Sequence, residues 1–185
     1  MISKQIKAET IERRAAELIA RHGTGDPFRI ARGEGYRVYH KYLGGIKGFY
    51  CRILGKDVIC LNNSLGEPLC SEVAAHELGH AVLHSPCGLL TVPDAVLWRE
   101  SDVEYEANAF ASHLIVPTAG LTERLAECGD YGDSPAALAA YFGCDVNLIL
   151  IKIRELQRLG MRFNLPFDPD ALYMKNLSAE AARHC

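Results

Sequence analysis

The sequence has no apolar run long enough to span a membrane, no C-x-x-C pair, no internal repeat and no low-complexity tract. Its longest greasy stretch, around residues 148–151, falls far short of a bilayer crossing. The opening MISKQIKAETIERRAAELIARHG mixes charge through every turn and lacks the apolar h-region of a signal peptide. Seven cysteines, an odd number, are scattered at 51, 60, 70, 87, 128, 144 and 185. Without a secretory signal they read as reduced thiols in a cytoplasm, not as a disulfide framework. The formal net charge is only −3. No overall basic field exists to draw the chain onto nucleic acid or anionic lipid, so neither direct nucleic-acid binding nor a membrane is expected.

What is present is an ordinary globular composition: 185 residues, 49% hydrophobic and 23% charged. That length suggests one domain or a tightly joined pair, with a core that needs no staples. Residues 3–22 read as an amphipathic helix capped by Ser3, striped by Ile11, Ala15, Leu18 and Ile19, and stopped by Gly23. Gly25-Asp26-Pro27 breaks the chain, and a short apolar turn follows at 28–31. Between Tyr36 and Asn62, alternating and glycine-punctuated runs predict a small, mainly antiparallel sheet of about three strands. A helix is expected from Ser71 to about His84, ending before Ser85-Pro86. A loop covers 86–100. Ser101-Asp102-Val103-Glu104 then spells a capping box, opening a helix that Pro117 ends. Ser134-Pro135 starts a short helix closed by Gly143, and Asp145 caps another that ends at Gly160. The expected fold class is α+β, with a core at 1–132 and a helical region at 133–185 packed on it.

One motif stands above background, His76-Glu77-Leu78-Gly79-His80. Residues at i and i+4 differ by only about 40° around a helix, so both imidazoles project from one face, a turn apart. That spacing lets both ring nitrogens reach one zinc ion. Glu77 lies beside that face, placed to take a proton from water and not to ligate. Catalytic zinc takes three protein ligands and keeps a position open, so a third is required. The extended H-E-x-x-H-x-x-G-x-x-H pattern is missing, which leaves the carboxylates of Glu104-Tyr105-Glu106-Ala107-Asn108. Glu104 and Glu106 sit about 200° apart on a helix, so only one can face the metal. Glu104 already has a role in the capping box. Glu106 flanks the stripe of Val103, Ala107, Phe110 and Leu114 and is the expected ligand, with Glu104 the alternative.

These segments carry a resemblance. Residues 75–84, Ala-His-Glu-Leu-Gly-His-Ala-Val-Leu-His, followed by Glu104-Tyr105-Glu106-Ala107-Asn108-Ala109-Phe110-Ala111 and the stretch from Leu114 to Pro117, resemble the ImmA/IrrE family of bacterial zinc metallopeptidases. The likeness extends to the N-terminal helix, the strand ending Ile59-Cys60-Leu61-Asn62, and the helix pair around Phe142-Gly143. It covers most of residues 1–160. Ile115-Val116 stands where many members have Leu-Met. The resemblance implies a zincin-like, gluzincin-type core with one zinc held by His76, His80 and Glu106, and Glu77 as catalytic base. It also implies endoproteolysis of a helix-turn-helix repressor of a mobile element or stress response. The alternative is a non-catalytic regulator that binds a repressor or DNA through the same scaffold.

Weaker signals remain. His84 continues the face of His76 and His80, rotated by about 80°, and reads as a supporting residue. His113 reads as a core-edge histidine, and Tyr105 and Tyr131 receive no role. The pair 135–142 and 145–159 is compact enough for a helix-turn-helix. Its cations Lys152, Arg154 and Arg158 are few against its apolar content, so packing onto the catalytic region is the expected role.

Overall fold

The computed structural model describes residues 6–84, 100–127 and 134–162. The expected Ser3 cap, the 86–100 loop before Glu100, Tyr131 and the tail after Asn164 lie outside them. In chain order the elements are α1 (Ala8–His22), α2 (Pro27–Gly33), β1 (Arg37–Lys41), β2 (Gly48–Ile53), β3 (Lys56–Asn62), α3 (Glu67–Leu83), α4 (Glu100–Ile115), α5 (Thr118–Glu127), α6 (Pro135–Phe142) and α7 (Val146–Arg158). The fold is α+β, with helices packed around a small mixed sheet.

Local chemistry accounts for most boundaries. Gly23 adopts φ +65° after α1, and its N–H donates to Ile19 O. The segment at 28–31, read as a turn, is helical instead. Asp26 accepts from Phe28 N and Arg29 N, and Pro27 occupies the first turn, where a missing N–H costs nothing. The same tolerance starts α3 at Glu67, four residues earlier than expected, with Pro68 in its first turn. Ser134 caps α6 by accepting from Ala137 N, and Asp145 caps α7 by accepting from Asn147 N. Helix α5 was not anticipated; it follows Pro117 directly and buries Leu121.

The sheet departs from a meander. Its strand order is β1-β3-β2, with β1 parallel and β2 antiparallel to β3. The most apolar strand therefore takes the centre, and the link between β1 and β2 must cross the end of β3. Asn62, the last residue of β3, organises that crossing. Its side-chain amide donates to Gly44 O at 2.9 Å and Ile46 O at 2.8 Å, and its backbone N–H donates to Lys47 O. Its Oδ1 accepts from Ser64 N and Ser64 Oγ.

The hairpin between β2 and β3 has a two-residue tip, Leu54-Gly55, because Ile53 pairs with Lys56. Both tip residues take positive φ, +50° and +74°, as a type I′ turn requires. Leu54 is the one non-glycine with positive φ among the described residues. That conformation costs a leucine about 1–2 kcal/mol.

One face of the sheet, through Ile59 and Leu61, packs on α3, and α3 packs in turn on α4. Ile11, Ile30, Leu78, Phe110, Leu148 and Ile151 join this core from five helices. A second cluster, with Val116, Leu121, Leu138, Ile149 and Leu156, joins the end of α4 to α5, α6 and α7. The chain bends by 105° between α6 and α7, and no single described helix is long and apolar enough to cross a membrane. Lys152 is 1% exposed, with Nζ 2.9 Å from His113 Nδ1. Arg158 lies over the Tyr105 ring and donates to Glu155. Lys152 thus turns inward to α4, while Arg158 stays exposed and lies against Tyr105 of α4.

Replacing Asn62 by Ala would leave two loop carbonyls without their donor. Urea unfolding should show a loss of about 1–3 kcal/mol, with the m-value unchanged.

Candidate metal centre

Helix α3 is buried on nearly all sides from Glu72 to Ala81, between the sheet and α4. Its HExxH residues therefore point into a structured interior, not into solvent. Gly79 sets how closely α4 approaches. A Cβ there would lie 3.0 Å from Ala107 O and 3.2 Å from Phe110 Cδ1. A side chain at 79 would force its α4 neighbours back by a few tenths of an ångström.

Across that contact, three side chains converge. His76 Nε2 and His80 Nε2 are 3.0 Å apart. Glu104 Oε2 lies 3.4 Å from His76 Nε2, and Oε1 lies 3.7 Å from His80 Nε2. Donor atoms of all three fall within 4.8 Å of one another. Tetrahedral ligands at 2.0–2.1 Å from zinc stand about 3.3 Å apart, so these separations fit a cation held between them. His76 is also pre-oriented: its Nδ1 lies 2.8 Å from Asn108 Oδ1, which fixes the ring with Nε2 turned toward Glu104.

Electrostatics support the same arrangement. Burial opposes the charged form of His76, but the hydrogen bond and charge of Glu104, with the charge of Glu77, outweigh it and raise its pKa. Burial raises the Glu77 pKa, partly offset by His76 and by the Tyr50 main-chain N–H that bonds its carboxylate. Glu77 is thus kept beside the convergent trio and in touch with strand β2.

Glu104, not Glu106, stands beside the histidine pair. Glu106 is fully buried on another side of α4, where Oε1 accepts from Ile6 N at 2.6 Å and Oε2 lies 3.7 Å from His84 Nδ1. Two premises behind the expectation of Glu106 do not hold. Ser101 lies within α4 and not at the position before its first residue. From Glu104 to Leu114 every α4 residue is buried, so the apolar stripe marks no single inward face. The spacing Glu104…Asn108, one turn apart on the face that carries Ala107, was the available signal. His84 packs near His80, ring centroids 5.5 Å apart, and reaches Glu106. His113 and Tyr105 face α7, bonded to Lys152 and Glu155.

A helix-borne HExxH with a carboxylate from the next helix defines a class of metallopeptidase. The family model described as Peptidase_M78, IrrE N-terminal-like domain, matches residues 34–154. The chain belongs to this ImmA/IrrE family. It is 32% identical over 101 residues to "Uncharacterized immunity region protein 2" of Bacillus phage phi105, covering 54% of this chain and 64% of that protein. It is 29% identical over 134 residues to "Metallopeptidase ImmA" of Bacillus subtilis (strain 168), covering 71% of this chain and 77% of that one.

The placement of Glu106 has a measurable signature. Burial lifts its pKa from 4.5 to about 7, against the lowering effect of the Ile6 N–H. Between those values the native state holds a proton that the unfolded chain has released. Its contribution to stability is therefore full below pH 4.5 and lost as pH rises to about 7. Chelator-treated protein should lose stability from pH 5 to 7 in urea titrations, and Glu106→Gln should flatten that slope.

Proposed function

We propose that the chain is a zinc-dependent endopeptidase that cuts a specific protein partner, a helix-turn-helix repressor, in the cytoplasm. The convergence of His76, His80 and Glu104, with Glu77 retained beside them, carries this reading. Membership of a peptidase family supports it, as does the likeness to ImmA and to a phage immunity-region protein. The unbridged thiols of Cys51, Cys60, Cys70 and Cys144 fit a reducing compartment. The buried Lys152, and Arg158 held against Tyr105 and Glu155, favour 133–185 as a region supporting the 1–132 core over a DNA reader.

In this reading His76, His80 and Glu104 hold the zinc, and Asn108 fixes the His76 ring. When bound, the metal supplies Lewis acidity toward the scissile carbonyl and the attacking water. Glu77 takes a proton from that water and returns it to the leaving amine nitrogen, completing peptide hydrolysis. Its raised pKa suits both transfers. The substrate lies along β2, the sheet edge that touches Glu77. Tyr50 turns its N–H away from β3 to Glu77, whereas Lys47 O bonds Asn62 in β3. Strand alternation then turns Gly48 and Arg52 main-chain groups outward too, open to an extended segment.

Elemental analysis should find about one zinc per chain. Glu104→Gln should weaken zinc binding far more than Glu106→Gln, and the opposite ranking would return the third ligand to Glu106. Glu77→Gln should keep the fold and the metal while cleavage of the helix-turn-helix repressor substrate falls by about 10²–10⁴-fold. Casein should be a poor substrate under the same conditions, and its rapid digestion would refute restricted specificity.

A further inference from the structure

The tip of the β2–β3 hairpin combines three features that a structural turn does not need. Leu54 is 96% exposed, and the neighbouring Ile53 is 56% exposed. Leu54 holds a positive φ that glycine, asparagine or aspartate would accept at lower cost. The stem below is clamped. Arg52 donates from Nε and Nη2 to both Asp57 oxygens, at 2.9 and 2.8 Å, and Tyr50 OH donates to Asp57 Oδ1 at 2.6 Å. A strained apolar side chain is thereby presented to solvent on a rigid mount.

Its position relates it to the metal centre. Tyr50, whose N–H bonds Glu77, lies on β2 four residues before Leu54 at its end, about 13 Å away at the rise of a β-strand. A polypeptide running along the outer edge of β2 past Glu77 would reach this tip.

We propose that Ile53 and Leu54 form an exosite that inserts into an apolar depression on the folded part of the protein substrate, a short distance from the bond cut. This inference rests on the endopeptidase reading and adds a specificity element to it. A second copy of the chain is the poorer occupant. Two side chains fall far short of the about 800 Å² per partner that a stable dimer buries, whereas they suffice as an added anchor for a substrate already paired along β2.

The test uses full-length Leu54→Asn and Leu54→Met proteins, with a candidate helix-turn-helix repressor and a short peptide spanning its cleavage site as probes. Asparagine suits the left-handed conformation, so Leu54→Asn should raise the thermal midpoint slightly. It should raise KM for the intact repressor by about tenfold, the scale of one lost leucine burial, and leave the peptide's kcat/KM unchanged. Leu54→Met should keep the wild-type KM. The same loss should appear as weaker repressor binding when Leu54→Asn is added to Glu77→Gln. Equal repressor KM for wild type and Leu54→Asn overturns the exosite alone. A parallel fall on repressor and peptide also overturns it, because the tip would then act on the catalytic centre. If wild-type protein neither binds nor cuts the repressor, the substrate reading falls and takes the exosite with it.

Discussion

The close approach of α3 and α4 at Gly79 and Ala107 is the constraint on which the rest of the site depends. Two histidines a turn apart need a third donor from another element, and the reach of a glutamate is short. Glu104 arrives because no Cβ separates the helices there. The same contact brings Asn108 to His76 Nδ1, so one packing decision fixes both a ligand candidate and the orientation of another. Sheet and helices then enclose α3, which keeps the histidines in a setting where opposite charge is felt strongly.

A second consequence is the number of ionisable groups buried around α4. Glu104, Glu106, Glu155, Lys152 and His113 are all below a tenth exposed. Each has a partner of suitable chemistry: a histidine, a main-chain N–H, a tyrosine and an arginine, or the lysine–histidine pair. Desolvation still dominates several of them. Lys152 falls to about 8 and His113 to about 3, burial being the larger cause in each case. Such groups stabilise a unique arrangement only while every partner stays in place, so α1, α4 and α7 are tied by polar contacts as well as by the apolar core.

Edge strand β2 carries the other half of the functional argument. Among the described residues it pairs only with β3; it touches the candidate base through Tyr50 and ends in a strained, exposed tip. Centre-strand placement of β3 makes this possible, because it leaves β2 outermost beside α3. Gly48 permits that proximity, since a Cβ there would lie 2.6 Å from Val73 Cγ1 of α3.

The amino-acid sequence alone determined whatever depends on neighbours a few residues apart. The HExxH spacing, the caps at Ser134 and Asp145 and the stop signals at Gly23 and Gly143 are local chemistry, and all were legible. Where two local rules competed, a helix replaced an expected turn after Pro27, and the start of α3 moved by about a turn at Pro68. Strand order escaped a sequence reading because inserting β3 between β1 and β2 is a pairing across the chain, held by Asn62 in a loop 16–18 residues away. Which of Glu104 and Glu106 stands beside the histidine pair was also decided by the tertiary structure. Periodicity separates inside from outside only when a helix has an outside, and α4 is buried all round. On such a helix only the identity of the packing neighbour decides what each side chain meets: α3 for Glu104, and the N-terminal segment at Ile6 for Glu106.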